Sequence, residues 1–166
     1  MNAPNDVPFT QWAAIHATEK FLVVNPLSGY RRQLPEDELH SIYLEPDAAE
    51  TALGQAVLEA LNTSRFIHPH TDRGFFQMDR ILAADKRWHE DFMKRYRYKT
   101  KRDAYKNMRY CFAERSEGTI TIQPHKRDAK PGLWWDLPPE KTVIIPETNN
   151  ANIVGAAVRL ALGYCE

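Results

Sequence analysis

Ser41-Ile42-Tyr43-Leu44-Glu45-Pro46-Asp47-Ala48-Ala49-Glu50-Thr51-Ala52-Leu53-Gly54-Gln55-Ala56-Val57-Leu58-Glu59-Ala60-Leu61 changes its hydrophobic period halfway along. Up to Pro46 it reads as a short strand, closed by a residue that cannot donate to a ladder. From Asp47 onward, Ala49, Leu53, Ala56, Val57, Ala60 and Leu61 fall on one helical face. Asp47 stands where a side chain can cap the first turn, with Glu50 three residues on as in a capping box. A strand followed at once by a helix points to a mixed fold.

Upstream of it, Phe21-Leu22-Val23-Val24, a turn at Asn25-Pro26-Leu27-Ser28-Gly29, and Tyr30-Arg31-Arg32-Gln33-Leu34 read as a hairpin. Residues 65–80 carry Pro69, Gly74 and three Arg and read as a loop with Phe75 and Phe76 tucked in. From Asp85, Trp88, Phe92 and Tyr96 recur every fourth position, a helix with an aromatic stripe. Thr100 can cap a short helix through Ala104, Tyr105 and Met108, with Asp103 at the reciprocal position. Tyr110 to Ala113, the turn Ser116-Glu117-Gly118 and Thr119 to Gln123 predict a second hairpin. Residues 124–141, with four Pro and one Gly around Trp134-Trp135, read as a long ordered loop. Thr142-Val143-Ile144-Ile145-Pro146 reads as a buried strand. Asn150 caps a last helix with Ile153, Val154, Ala157, Val158 and Ala161 inward, stopped by Gly163. The expected fold class is α+β. It is one domain over 1–166, with antiparallel hairpins packed against several helices.

The 166 residues carry 22 Lys plus Arg against 22 Asp plus Glu, so the net charge is zero. Bulk electrostatics therefore do not carry the function, as they would in a nucleic-acid coater. Hydrophobic residues make up 43% of the chain, enough for a core without staples. The N-terminus lacks the basic start and apolar run of a signal peptide, and no apolar stretch approaches a membrane span. A cytosolic protein with no membrane partner is expected.

The patterns of enzymes are missing. There is no Gly-rich phosphate loop and no nucleophile elbow. His40 and Ser41 are adjacent and would point to opposite faces of a strand. Cys111 reads as a small buried residue and Cys165 as a loose tail thiol. His68, His70 and Asp72 could converge on an extended chain, but no further Cys or His cluster completes a site. The expectation is accordingly no cofactor and no metal. Lys94, Arg95, Arg97, Lys99, Lys101, Arg102, Lys106 and Arg109 set eight bases against Asp103. With Tyr96 and Tyr98 interleaved, that run is the alternative reading, a nucleic-acid-binding segment over Lys94–Arg109. Against it, the fourfold aromatic spacing turns the rings inward while the cations snorkel outward. From Gln33 to Ser64 there is no Lys or Arg. An acidic third beside a basic middle suits docking on another protein.

From Leu53 on, several blocks resemble, in order, the immunity proteins of bacterial contact-dependent growth inhibition systems. They are Leu53 to Ile67, Tyr98 to Arg102, Lys106-Asn107-Met108, Gly118 to His125, and Val143 to Pro146 followed by Gly155 to Leu162. The similarity spans Gly29 to the C-terminus and is weakest over residues 1–20, read as an N-terminal extension, and around Trp134-Trp135-Asp136.

The resemblance implies a non-enzymatic cytosolic antidote. Its partner would be the C-terminal toxin domain of a large exported protein, bound one to one, with no direct contact to nucleic acid. Many such toxins are nucleases, often acting on transfer RNA. A nuclease site is cationic because it grips phosphate, so carboxylates can occupy it. Glu36, Asp37, Glu38, Glu45, Asp47 and Glu50 are the acidic candidates for the toxin-binding surface, with Glu36, Asp37 and Glu38 ranked first. Trp134 and Trp135, of the type that anchors interfaces, complete the set.

Overall fold

A computed structural model describes residues 7–38 and 40–166. The hairpin expected around Gly118 forms where the sequence places it. Glu117 (φ 49°) and Gly118 (φ 81°) both take left-handed backbone, as a two-residue turn between twisted strands requires. That turn joins β5 (Arg109–Ser116) to β6 (Thr119–Arg127). β1 (Thr10–Ala17) pairs with β5, with Ala13 opposite Ala113, and β2 (Leu22–Gly29) pairs with β1. β3 (Gln33–Pro35) and β4 (Ile42–Leu44) share the outer edge of β2. β7 (Trp134–Asp136) and β8 (Val143–Pro146) share that of β6. The result is an eight-stranded antiparallel sheet, β3-β2-β1-β5-β6-β7 along its path. With the four α-helices among the described residues, it is the α+β fold the sequence predicts.

One face is closed by α1 (Glu50–Thr63) and α4 (Ala151–Tyr164), which press Leu53, Val57, Leu61, Val154 and Val158 onto the sheet. Burying each such side chain stabilises by roughly 1.5–3 kcal/mol. The two helices touch through Gly54 and Gly155. A Cβ on Gly54 would stand 1.7 Å from the Ala151 carbonyl oxygen, and one on Gly155 1.7 Å from that of Glu50. The opposite face is partly covered by α2 (Met78–Arg95) and α3 (Lys101–Tyr105), around Phe21, Val23, Trp88, Phe92, Tyr105 and Met108. Among the described residues, no helix is long and apolar enough to cross a membrane.

Several expectations need correction. The stretch 1–20, read as an extension, contains β1, which lies between β2 and β5. It is buried on both faces apart from Gln11, so it shows no alternation to detect. β2 runs through the expected turn at 25–29, and the chain reverses at 30–32 instead. Pro26 falls between the stretches of β2 paired with β4 and with β3, where a missing N–H breaks no outer ladder bond. Asp47 caps nothing, because α1 opens at Ala49 with no side-chain cap. Helix α2 starts at Met78 rather than Asp85, again without a side-chain cap to announce it. Within 124–141, β6 continues to Arg127 and β7 pairs with it. β8 is an edge strand with Ile144 64% exposed, not a buried one. Helix α4 passes Gly163, and Ile153 faces solvent. The caps at Thr100 and Asn150 do form, accepting from the N–H of Asp103 (3.1 Å) and of Ile153 (3.3 Å).

Candidate functional site

Where α2 and α3 meet the sheet, a cleft of about 230 Å³ opens between β1, β2, the segment after β3, Asp85 and Trp88 of α2, Tyr105 of α3, and Trp134 of β7. The alternation of β1 supplies its floor: Ala14 and His16 point into it, while Ala13 and Ile15 point to the aliphatic core. Register then places Tyr110 beside His16, their rings stacked at 4.8 Å. Trp134 closes one wall, its ring 5.2 Å from Tyr110 and 6.1 Å from Tyr105. Glu36, Glu38 and His40 also line the cleft.

The polar groups here are unusual for an interior. The Nδ1 atoms of His16 and His125 are buried and have no hydrogen-bond partner among the described residues. Burial, and then the neighbouring His89 and His125, drive His16 down to about 3, so it is neutral at physiological pH. Burial likewise lowers His125, against the pull of Asp136, whose carboxylate lies 3.3 Å from its Nε2. The lining contains no serine, threonine, cysteine or lysine. An aromatic floor with unmet hydrogen-bonding capacity suits recognition.

The acidic candidates separate into three situations. Glu36 is a structural residue: Arg65 donates to both of its carboxylate oxygens at 2.7 Å, and the Ser28 hydroxyl donates at 2.5 Å. Burial pushes the Glu36 carboxyl up, but these donors outweigh it and hold it below its ordinary range. Asp37 accepts from Arg80 at 3.0 Å, and Arg80 also donates to the Pro35 carbonyl at 2.9 Å. Glu38 is 88% exposed, with His40 at 4.0 Å. Glu45, Asp47 and Glu50 face solvent on the approach to α1 and line no part of the cleft. That approach is tied to α4 by Arg159, which donates to the carbonyls of Pro46 and Ala48. The two tryptophans also differ. Trp134 is half-buried in the wall, whereas Trp135 is 54% exposed and donates to Asp128 at 2.6 Å.

Sequence reading missed His16, Tyr110, Trp88 and His125. The signal was available only as Trp12-Ala14-His16 on alternate positions of an unassigned strand. In the basic run, the aromatics turn inward: Tyr96 stacks on Phe21 at 4.5 Å and the Tyr98 hydroxyl donates to Thr18. His68 and His70 stack on each other at 4.9 Å, and Asp72 accepts from the Phe75 N–H. Among the described residues, no group of three or more His, Cys, Asp or Glu is placed to hold a metal ion.

Comparison with known proteins gives this geometry a context. A solved Neisseria meningitidis protein of unknown function has the same fold, with a TM-score of 0.88 and 28% identity over the whole of both chains. A solved toxin and immunity complex, CdiA-CT/CdiI from Yersinia pseudotuberculosis, contains a chain matched with a TM-score of 0.90. The identity there is 29%, over 97% of this chain and 100% of that one. The immunity protein CdiI-YPIII of Yersinia pseudotuberculosis serotype O:3 (strain YPIII) is 32% identical over 178 residues, 98% of this chain and 99% of its own. The family model described as CDI immunity protein matches residues 11–165, taking in β1 as well as the blocks from Leu53 onward. The chain belongs to the CDI immunity protein family.

Proposed function

We propose that the protein is the antidote to a cognate toxin C-terminal domain, binding it one to one in the cytoplasm and silencing it by occupation rather than by chemistry. The observation that carries this reading is the cleft, whose lining includes both the exposed carboxylate of Glu38 and the half-buried ring of Trp134. An anionic point beside an aromatic anchor is the combination that gives both steering and a hot spot. Trp135, exposed on the other side of the same short strand, offers a second contact outside the cleft. Glu36 and Asp37 support the rim from within their arginine pairs, and Glu45, Asp47 and Glu50 serve the periphery. A nuclease suits such a surface, because a site built to hold phosphate is cationic. Transfer RNA as the nuclease's substrate rests on the family resemblance alone, and incubating the toxin domain with transfer RNA and with duplex DNA decides it.

The test is calorimetry with the toxin domain at two salt concentrations. A tight one-to-one complex that weakens with salt is expected, from an interface on the order of 1,600 Å². Trp135→Ala should cost roughly 2 kcal/mol of binding. Absence of any complex would sink the reading.

A further inference from the structure

Cys165 is not the loose thiol its position suggests. The chain after α4 lies along β6: the Glu166 N–H donates to the His125 carbonyl at 3.2 Å, and the Arg127 N–H donates to the Glu166 carbonyl at 2.7 Å. These bonds present the Cys165 sulfur to β5, where it stands 3.6 Å from Cys111 Sγ, 54 positions away in sequence. Tyr110 and Ala161 carbonyls, at 3.3 and 3.6 Å, hold it in that gap. Both sulfurs are free thiols, with Cys111 fully buried and Cys165 partly exposed.

We infer that Cys111 and Cys165 are a modification site, a thiol pair that hydroperoxides convert to a reversible disulfide latching the end of α4 to the sheet. A disulfide needs the sulfurs at about 2.05 Å, so closure is a short side-chain movement with the tail already in place. The members have distinct parts. The S–H of Cys111 brings Cys165 down to about 7, while that same bond, together with burial, holds Cys111 up. Cys165 is therefore the attacking thiolate. Its sulfur takes an oxygen from hydrogen peroxide: an S–O bond forms, the O–O bond breaks, and hydroxide leaves to collect the proton Cys165 gave up. Cys111 then attacks the sulfenic sulfur. The S–S bond forms, the S–O bond breaks, and the Cys111 proton departs with the hydroxyl as water. Two thiols and one peroxide give one disulfide and two waters. In a reducing compartment such a bond is transient and follows the oxidant. The latch ends on His125 and Arg127 of β6, the two residues in register with Asp136 and Trp134 of β7.

The test exposes the reduced full-length chain to hydrogen peroxide, followed by thiol titration, intact mass and a non-reducing peptide map. Both thiols should disappear together, with the mass falling by two hydrogens and a 111–165 cross-link in the map. The thermal midpoint should rise by on the order of 10 °C, and dithiothreitol should reverse every change. In Cys111→Ala, Cys165 should instead gain one oxygen and stop. Should that variant fail to fold, Cys165→Ser is the substitute, and its buried Cys111 should stay a thiol. Two surviving thiols in the wild-type protein, oxygen addition without a cross-link, or a link between two chains would each overturn the inference.

Discussion

Beneath α1 and α4 the sheet presents Ala13, Ile15, Ala113, Ile120 and Ile122, and the buried cluster there consists of aliphatic side chains, Gly contacts and one thiol. Beneath α2 and α3, the alternate residues of the same strands are His16, Tyr110 and His125 among Trp88, Phe92 and Trp134. One face has a buried aliphatic cluster and is filled by helix-on-helix contact. The other keeps two imidazole Nδ1 atoms without a hydrogen-bond partner among the described residues, and a cleft walled in part by α2 and α3. A single sheet thus separates an aliphatic, helix-packed side from the aromatic side that carries the proposed recognition surface.

Substitutions on the aliphatic side should be the most damaging. Gly155→Leu drives a side chain into the Glu50 carbonyl, and we expect a loss of at least about 3 kcal/mol or failure to fold. Urea denaturation reads it, and a wild-type midpoint would break the contrast. Next comes Glu36→Gln, which removes the carboxylate from Arg65 and should cost about 1–2 kcal/mol, discounted because that guanidinium is more than half exposed. The sign with pH follows from the lowered native value. The Glu36 contribution is complete above pH 4.5 and disappears as pH falls through that lower value, so the variant should show a shallower acid limb.

His16 gives a smaller effect near neutrality. Above pH 6.5 it is neutral folded or unfolded; from there down to about 3 the unfolded chain accepts a proton that the native one refuses. Stability should fall across that window, and His16→Phe should flatten the fall in a series of thermal midpoints. An equally steep series in the variant would show that another group carries the titration. Smallest of all in stability is Glu38→Lys, expected within about 0.5 kcal/mol of wild type. Its effect should appear in toxin association rate and salt dependence instead. A Glu38→Lys protein that associates as before would remove the rim carboxylate from the proposed mechanism.

What could be read in the sequence follows the same division. Helix α1, helix α4 and the β5–β6 hairpin are legible because each has one wet face, which writes a period of 3.6 or 2 into the chain. Strand β1 has no wet face over most of its length, and its alanines gave no hint of an element at the centre of the sheet. The prolines around β7 disguised a strand whose pairing depends on a partner already built. The candidate site suffered more. Glu36 looks like a free acid beside Asp37 and Glu38, but its partner Arg65 lies 29 residues away and only the fold brings them together. The cleft floor is a product of register between β1 and β5, which no local pattern reports. Two of the acidic candidates and Trp134 do meet around that cleft; the three nearer α1 do not.

The crossing of Gly54 over Gly155 also bears on how such a protein can change partners. Two backbones in direct contact leave the spacing of the helices indifferent to what the opposite side of the sheet displays. On the proposed reading, a lineage could rewrite Glu38, His40 and Trp135 to meet a new toxin while its folding problem stayed solved. Descendants that share a scaffold and little of their recognition surface are the expected result.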